Sequence, residues 1–263
     1  MNVAYDFSGR TAFVTGAGSG IGRATALAFG AAGAAVAVSD IVEAGGLETV
    51  ERIRAVGGTA EFFRYDVADA AAADAVVDAV VARFGRLDVA HNNAGIESEH
   101  VPFGDVALED WRRVVEVDLN AVYYGMRAEI RVMRAQGGGA IVNTASAAAL
   151  FAGYDSGPYT AAKHGLIGLT RSAAVDHAKD GIRVNAVCPG GVDTPFIGET
   201  PAPIMQRLML GIPMKRLASA EEVAAGVLWL ASDGASYVNG IALPIDAGLT
   251  ILSAGTDFSD LDL

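Results

Sequence analysis

The sequence predicts a doubly wound α/β fold, a parallel sheet covered on both faces by helices in three layers. Three observations predict it. Short β-branched or apolar runs alternate with longer Ala-rich stretches along the chain. The short runs are apolar without a period of two, as strands buried on both faces are. The first run also opens into a glycine-rich turn followed by a helical stretch, the kind of junction at which such sheets bind ligands. No linker, repeat or shift of composition divides the 263 residues, so a single domain is expected over 1–263.

Taken in order, Thr11–Thr15 reads as the first strand, followed by the glycine turn and a helix to about Gly30. Ala34–Ser39 is the second strand, Ile41–Val56 a helix ended by Gly57 and Gly58, and Thr59–Tyr65 the third strand. Asp69 is placed to cap a helix running to Phe84, which Gly85 closes. Leu87–Asn92 is the fourth strand, and one long helix runs from Leu108 to Arg134, stopped by Gly137–Gly139. A strand over 140–146, a helix over 159–179 and a strand over 183–188 follow. Ser219 and Glu222 have the spacing of a capping box for a helix to Ser232, and Val238–Ile245 is the last strand.

Composition excludes several classes of function. The chain is 52% apolar, enough for a substantial core. No apolar run reaches membrane-spanning length, and Met1–Asp6 lacks the charged and apolar regions of a signal peptide. The single cysteine, Cys188, sits in a strand-like run and reads as a buried thiol. No His or Cys cluster has metal-ligand spacing, so no metal is expected. A net charge of −12 disfavours nucleic acid, which needs clustered cations. Asp257–Leu263 is carboxylate-rich and is expected to be a solvated tail. A soluble cytoplasmic protein is expected.

The glycine turn is Thr15-Gly-Ala-Gly-Ser-Gly-Ile-Gly22. Its glycines let the backbone approach a pyrophosphate, and the helix behind it offers free N–H groups. Gly16, Ser19, Gly20, Ile21 and Gly22 are therefore candidate cofactor residues. Asp40 ends the second strand, where a carboxylate accepts from the adenosine ribose hydroxyls and repels a 2′-phosphate. No Arg or Lys adjoins it in sequence and Ser19 is uncharged, so NAD is expected rather than NADP. Asp66 and Val67 follow the third strand and are candidates for the adenine. Asn93, Ala94 and Gly95 end the fourth strand, beside the point where strand order reverses.

Tyr159 and Lys163 stand four apart, one turn along a shared helix face. An ammonium beside a phenol stabilises phenolate and lowers its pKa towards the range of proton transfer. Ser146 ends the preceding strand-like run and offers a hydroxyl there.

These residues together resemble the short-chain dehydrogenase/reductase family. The resemblance covers about 9–248 and rests on Thr15-Gly-x-x-x-Gly-Ile-Gly22, Asn92-Asn-Ala-Gly95, Asn120, Ser146, Tyr159-x-x-x-Lys163 and Pro189-Gly190. It implies a Rossmann-fold, nicotinamide-dependent oxidoreductase, usually a homotetramer. It implies Tyr159 as general acid/base, with Lys163 lowering its pKa and holding the nicotinamide ribose. Ser146 is implied as the donor to the substrate oxygen. Asn120 is implied to distort its helix and hold a water linking Lys163 to solvent. Pro189, Gly190, Val192 and Thr194 are implied at the nicotinamide end. Two departures stand out: His91 where a small apolar residue is usual, expected as a satisfied buried histidine, and Asp246-Ala-Gly248 in place of Asp-Gly-Gly.

The stretch 190–218 is rich in proline and apolar residues and reads as a lid over the nicotinamide. With Ala147–Ala149, Leu150 and Phe151 it suggests a roomy apolar pocket, to which Glu97, His100, Tyr154 and Asp155 could add polar contacts. The expected activity is NAD-dependent interconversion of an apolar, cyclic, aryl or steroid-like secondary alcohol and its ketone. An NADPH-dependent 3-oxoacyl-(acyl-carrier-protein) reductase is the alternative, and a non-catalytic dinucleotide sensor a further one.

Overall fold

The computed structural model describes residues 4–198, 205–206 and 209–252. Its sheet has the seven strands β1 (Thr11–Thr15), β2 (Ala35–Asp40), β3 (Thr59–Arg64), β4 (Val89–Asn92), β5 (Gly139–Thr144), β6 (Ile182–Pro189) and β7 (Ala242–Ile245). All neighbouring strands pair parallel, in the order β3-β2-β1-β4-β5-β6-β7. The order reverses between β1 and β4, so the loops leaving those two strands diverge and open a crevice.

Helices α1 (Gly20–Ala31), α2 (Glu43–Ala55) and α7 (Ala220–Ala231) cover one face. Helices α3 (Ala72–Phe84), α5 (Ala121–Gln136) and α6 (Gly157–His177) cover the other, with α4 (Leu108–Val115) packed beside α6. Two cores result, one around Phe13, Leu87, Ile141 and Leu166, the other around Phe29, Val36, Ile53 and Val227. Each such buried side chain stabilises by about 1.5–3 kcal/mol, while an exposed ion pair contributes about 0–1 kcal/mol. Core burial therefore sets the architecture. No helix among the described residues is long and apolar enough to cross a membrane.

Several ends differ from the sequence reading for local reasons. Asp69 does not cap α3 directly: its carboxylate accepts from Ala71 and Ala72 at 3.0 and 3.2 Å, holding a turn that delays the helix to Ala72. The last strand begins at Ala242, because Asn239 turns inward to accept from the Val184 N–H at 2.8 Å. The long helix is broken: a π-helical turn, Glu116–Asn120, separates α4 from α5. The Ser219–Glu222 capping box forms in both directions, at 3.3 and 2.8 Å. Asp246 folds its carboxylate onto the Gly248 and Thr250 N–H groups, leaving Ala247 at φ 56°. The acidic tail lies outside the described residues, as do 199–204 and 207–208 of the expected lid.

Candidate active site

A cleft of about 1080 Å³ runs across the carboxyl ends of the strands at the crevice. At one end lies the glycine turn. Gly16 has φ +62°, and a Cβ at Gly22 would lie 2.2 Å from the Gly16 carbonyl oxygen, so no side chain fits there. This lets α1 start against the loop. Its first turn carries no acid and Ser19 makes no side-chain cap, which leaves the N-terminal N–H groups for an anion. Asp40 stands beside it, half-buried, its two oxygens accepting from Gly18 N–H and Val42 N–H, each at 2.8 Å.

A cation does lie close by, from a residue the sequence reading passed over. Arg23 on α1 reaches back to the Gly18 carbonyl, bonds Thr49 Oγ1 at 3.1 Å and pairs with Glu48 at 2.8 Å. Only the fold brings α1 and α2 together here. Glu48 answers the Arg23 charge, so Asp40 remains the anion facing the cleft.

The floor is fixed from β1 and β4. Thr15 Oγ1 accepts from the Asn93 and Ala94 N–H groups at 3.0 and 3.2 Å, and Asn93 Nδ2 donates to the Thr15 carbonyl at 3.1 Å. Thr144 Oγ1 donates to Asn93 Oδ1 at 3.2 Å, which leaves it to accept from His91 Nε2 at 2.8 Å. His91 is fully buried, and burial pushes its pKa down to about 3, so the ring is neutral and structural. Cys188 is likewise buried, its thiol pushed up to about 11.

At the other end Ser146, Tyr159 and Lys163 meet. Ser146 sits two residues beyond β5, its Oγ accepting from Ala148 N–H at 3.1 Å as a cap of the short turn after it. Lys163 Nζ lies 5.3 Å from the centre of the Tyr159 ring and donates to the Thr144 carbonyl at 3.2 Å. Burial pushes the Tyr159 hydroxyl up, while the Lys163 charge and the Ser146 hydroxyl pull it down. Burial is the larger effect in the protein alone.

Of the sequence-derived residues, Gly16, Ser19, Gly20, Ile21, Asp40, Asp66, Val67, Asn93, Ala94 and Gly95 line this one cleft, as do Ser146, Tyr159, Lys163, Pro189, Gly190, Val192 and Thr194. Gly22 lies beneath the loop. Asn120 closes the π-helical turn, so the helix is distorted there as implied, but its side chain turns to Glu116 rather than to Lys163. Its amide donates to Glu116 Oε2 at 2.7 Å and it does not line the cleft. The residue of the π-helical turn that meets Lys163 is Asp118, 2.8 Å from Nζ, with side-chain exposures of 0% and 3%. The spacing of Val114, Asp118 and Val122 was the available signal, since it puts Asp118 on the buried stripe of the helix and Asn120 off it.

The reaction end is walled by Ala147, Ala148, Phe151, Phe196 and Ile197, with the Phe196 ring 6.1 Å from that of Tyr159. Glu97 and His100 add polar groups, and burial raises the Glu97 pKa. Tyr154 and Asp155 are exposed and outside the cleft, as is Leu150. Among the described residues no three His, Cys, Asp or Glu side chains converge on a metal-sized site.

The family described as Enoyl-(Acyl carrier protein) reductase matches residues 16–250. A cyclohexanol dehydrogenase of Acinetobacter sp. (strain SE19) is 44% identical over 244 residues, 93% of this chain and 96% of that protein. A cis-4-hydroxycyclohexanecarboxylate dehydrogenase of Sinomonas cyclohexanicum is also 44% identical over 244 residues, 93% of this chain and 98% of that one. The crystal structure of a levodione reductase matches with TM-score 0.91 at 37% identity, covering 94% of this chain and 100% of its own. On sequence, fold and cleft alike, this chain belongs to the short-chain dehydrogenase/reductase family and is an oxidoreductase acting on CH–OH groups.

Proposed function

We propose that the chain interconverts apolar cyclic secondary alcohols and their ketones, with NAD as its cofactor. The observation that carries this reading is one cleft with Asp40 at one end and Ser146, Tyr159 and Lys163 at the other. The residues present fit a dinucleotide. Side-chain-free glycines and an uncapped α1 N-terminus suit a pyrophosphate, and Asp40 suits a ribose diol. Bound there, NAD supplies a nicotinamide ring that accepts or returns hydride.

The chain's own residues do the rest. Gly16, Ser19, Gly20 and Ile21 would hold the phosphates, and Asp66 and Val67 would border the adenine. Asn93, Ala94, Gly95 and Lys163 would border the nicotinamide ribose, and Pro189, Gly190, Val192 and Thr194 the nicotinamide edge. In oxidation Tyr159 takes the alcohol proton onto its phenolate oxygen, and in reduction it returns that proton to the carbonyl oxygen. Ser146 donates to the same substrate oxygen and stabilises charge developing there. The apolar wall and the ring alcohols named for the two relatives support a cyclic substrate.

The alternative of an acyl-carrier substrate has less support. Carrier docking needs free cations, and Arg127, Arg131 and Arg134 are paired with Asp74, Asp78 and Asp180 at 2.9, 2.7 and 3.3 Å. A homotetramer in a cytoplasmic setting belongs to the same reading, supported by the exposed Tyr237, Ile241 and Ile251 around β7 and by a buried, unpaired thiol. Sedimentation equilibrium tests the assembly: a monomer at micromolar concentration overturns it. The function is tested with a panel of cyclic alcohols, ketones and 3-oxoacyl thioesters assayed with both cofactors. The proposal expects turnover of ring alcohols with NAD⁺ favoured in kcat/KM. Preference for thioesters with NADPH overturns it.

A further inference from the structure

We propose that Asp118 is a positioning residue of the reaction, holding the Lys163 ammonium against the end of β5 and offsetting its charge at Tyr159. This rests on the reading of Tyr159 as the proton carrier.

The geometry is specific. Asp118 Oδ1 lies 2.8 Å from Lys163 Nζ, with both side chains out of water. The same carboxylate accepts the Ile96 N–H, 3.2 Å from Oδ2, so it also ties down the loop after β4. That loop must be bare for the carboxylate to reach. A Cβ at Gly95 would lie 2.6 Å from Asp118 Oδ1 and 3.3 Å from Lys163 Nζ. The π-helical turn over Glu116–Asn120 shifts the register of the helix where Asp118 enters. Two separate segments, the loop after β4 and α6, thus converge on one carboxylate, and the ammonium is fixed from two sides, by Asp118 and by the Thr144 carbonyl.

The consequence is electrostatic. A lone buried ammonium would strongly favour the Tyr159 phenolate, but would itself shed its proton readily. Asp118 keeps Lys163 charged and tempers its pull, raising the pKa of both Lys163 and Tyr159. Among the described residues, the other ionisable groups that act on the pair are Glu97, on the loop beyond Gly95 with His100 beside it, and the buried Cys188 of β6. Asp118 lines no part of the cleft, so it acts through Lys163 and not on substrate.

The near-isosteric Asp118→Asn tests this in the full chain. In the pH dependence of kcat for ring-alcohol oxidation, the acid limb should move down by about one pH unit, and a new loss should appear on the alkaline side as Lys163 deprotonates. A profile of wild-type shape, lowered equally at every pH, overturns the proposal. A second measurement needs no turnover. The tyrosinate absorbance of Asp118→Asn, less that of Asp118→Asn/Tyr159→Phe, follows Tyr159 alone, with wild type less Tyr159→Phe as reference. Tyr159 should ionise at lower pH in Asp118→Asn than in wild type, and an unmoved titration overturns the proposal even if no alcohol is a substrate. Failure of the functional reading alone would show as a moved titration without turnover. If Asp118→Asn does not fold, Asp118→Asn/Lys163→Met should recover the fold by removing the stranded charge. A double variant no more stable than the single one overturns the pairing.

Discussion

At the Asp40 end of the cleft, the pieces are neighbours in the chain: β1, the glycine turn, α1 and the end of β2 all fall within residues 11–40. At the Tyr159 end they are scattered. Ser146 follows β5, Tyr159 and Lys163 ride on α6, Asp118 arrives on a π-helical turn, and Phe196 comes from the segment after β6. The first end is backbone and glycine, where local sequence sets shape. The second is a set of buried charges whose behaviour depends on who meets whom. A backbone cradle tolerates little change in volume. A charge cluster tolerates little change in partner.

A similar contrast holds between two buried carboxylates of the protein, Asp118 and Glu129. Asp118 meets an ammonium, whereas Glu129 on α5 meets only an amide, Asn92 Nδ2 at 3.0 Å, and its Oε1 has no partner. Burial accordingly pushes Glu129 up to about 7.

The largest effect should come from breaking the charge end. Tyr159→Phe should lower kcat roughly 10²–10⁴-fold with NAD⁺ affinity kept. Substantial residual turnover in stopped assays would refute its role. At the cradle end, Asp40→Ala should cost about 1.5–3 kcal/mol of NAD⁺ recognition, narrowing the NAD⁺ over NADP⁺ ratio in kcat/KM. An unchanged ratio counts against Asp40 as the selector.

Gly22→Ala should cost about 1–3 kcal/mol of stability through overpacking, because its Cβ would lie 2.2 Å from the Gly16 oxygen. Denaturant titration measures it, and a wild-type midpoint would mean that the loop yields.

The smallest effect concerns Glu129. Its folded pKa of about 7 lies above the ordinary 4.5, so between those values the native state holds a proton the unfolded chain has released. Stability should therefore fall as pH rises through that window, and Glu129→Gln should flatten the fall. Tm against pH, recorded for both proteins, decides it. Parallel curves would remove Glu129 from the account.

What the sequence by itself determined was the alternation of strand and helix, the glycine cradle, Asp40, and the Tyr159–Lys163 spacing. Each is a local signal, carried by contiguous residues and the fixed periods of helix and strand. The tertiary structure decided the rest. It set Arg23 beside Asp40 and answered it with Glu48, separated by 25 residues in sequence. It stacked His91, Thr144 and Asn93 into one floor. It also brought Lys163 on α6 and the loop after β4 onto Asp118, while Asn120, two residues on, turns to Glu116. The physical reason is common to all three. An electrostatic partner is defined by distance in space, and in a parallel sheet with crossover helices that distance is set by strand order and register.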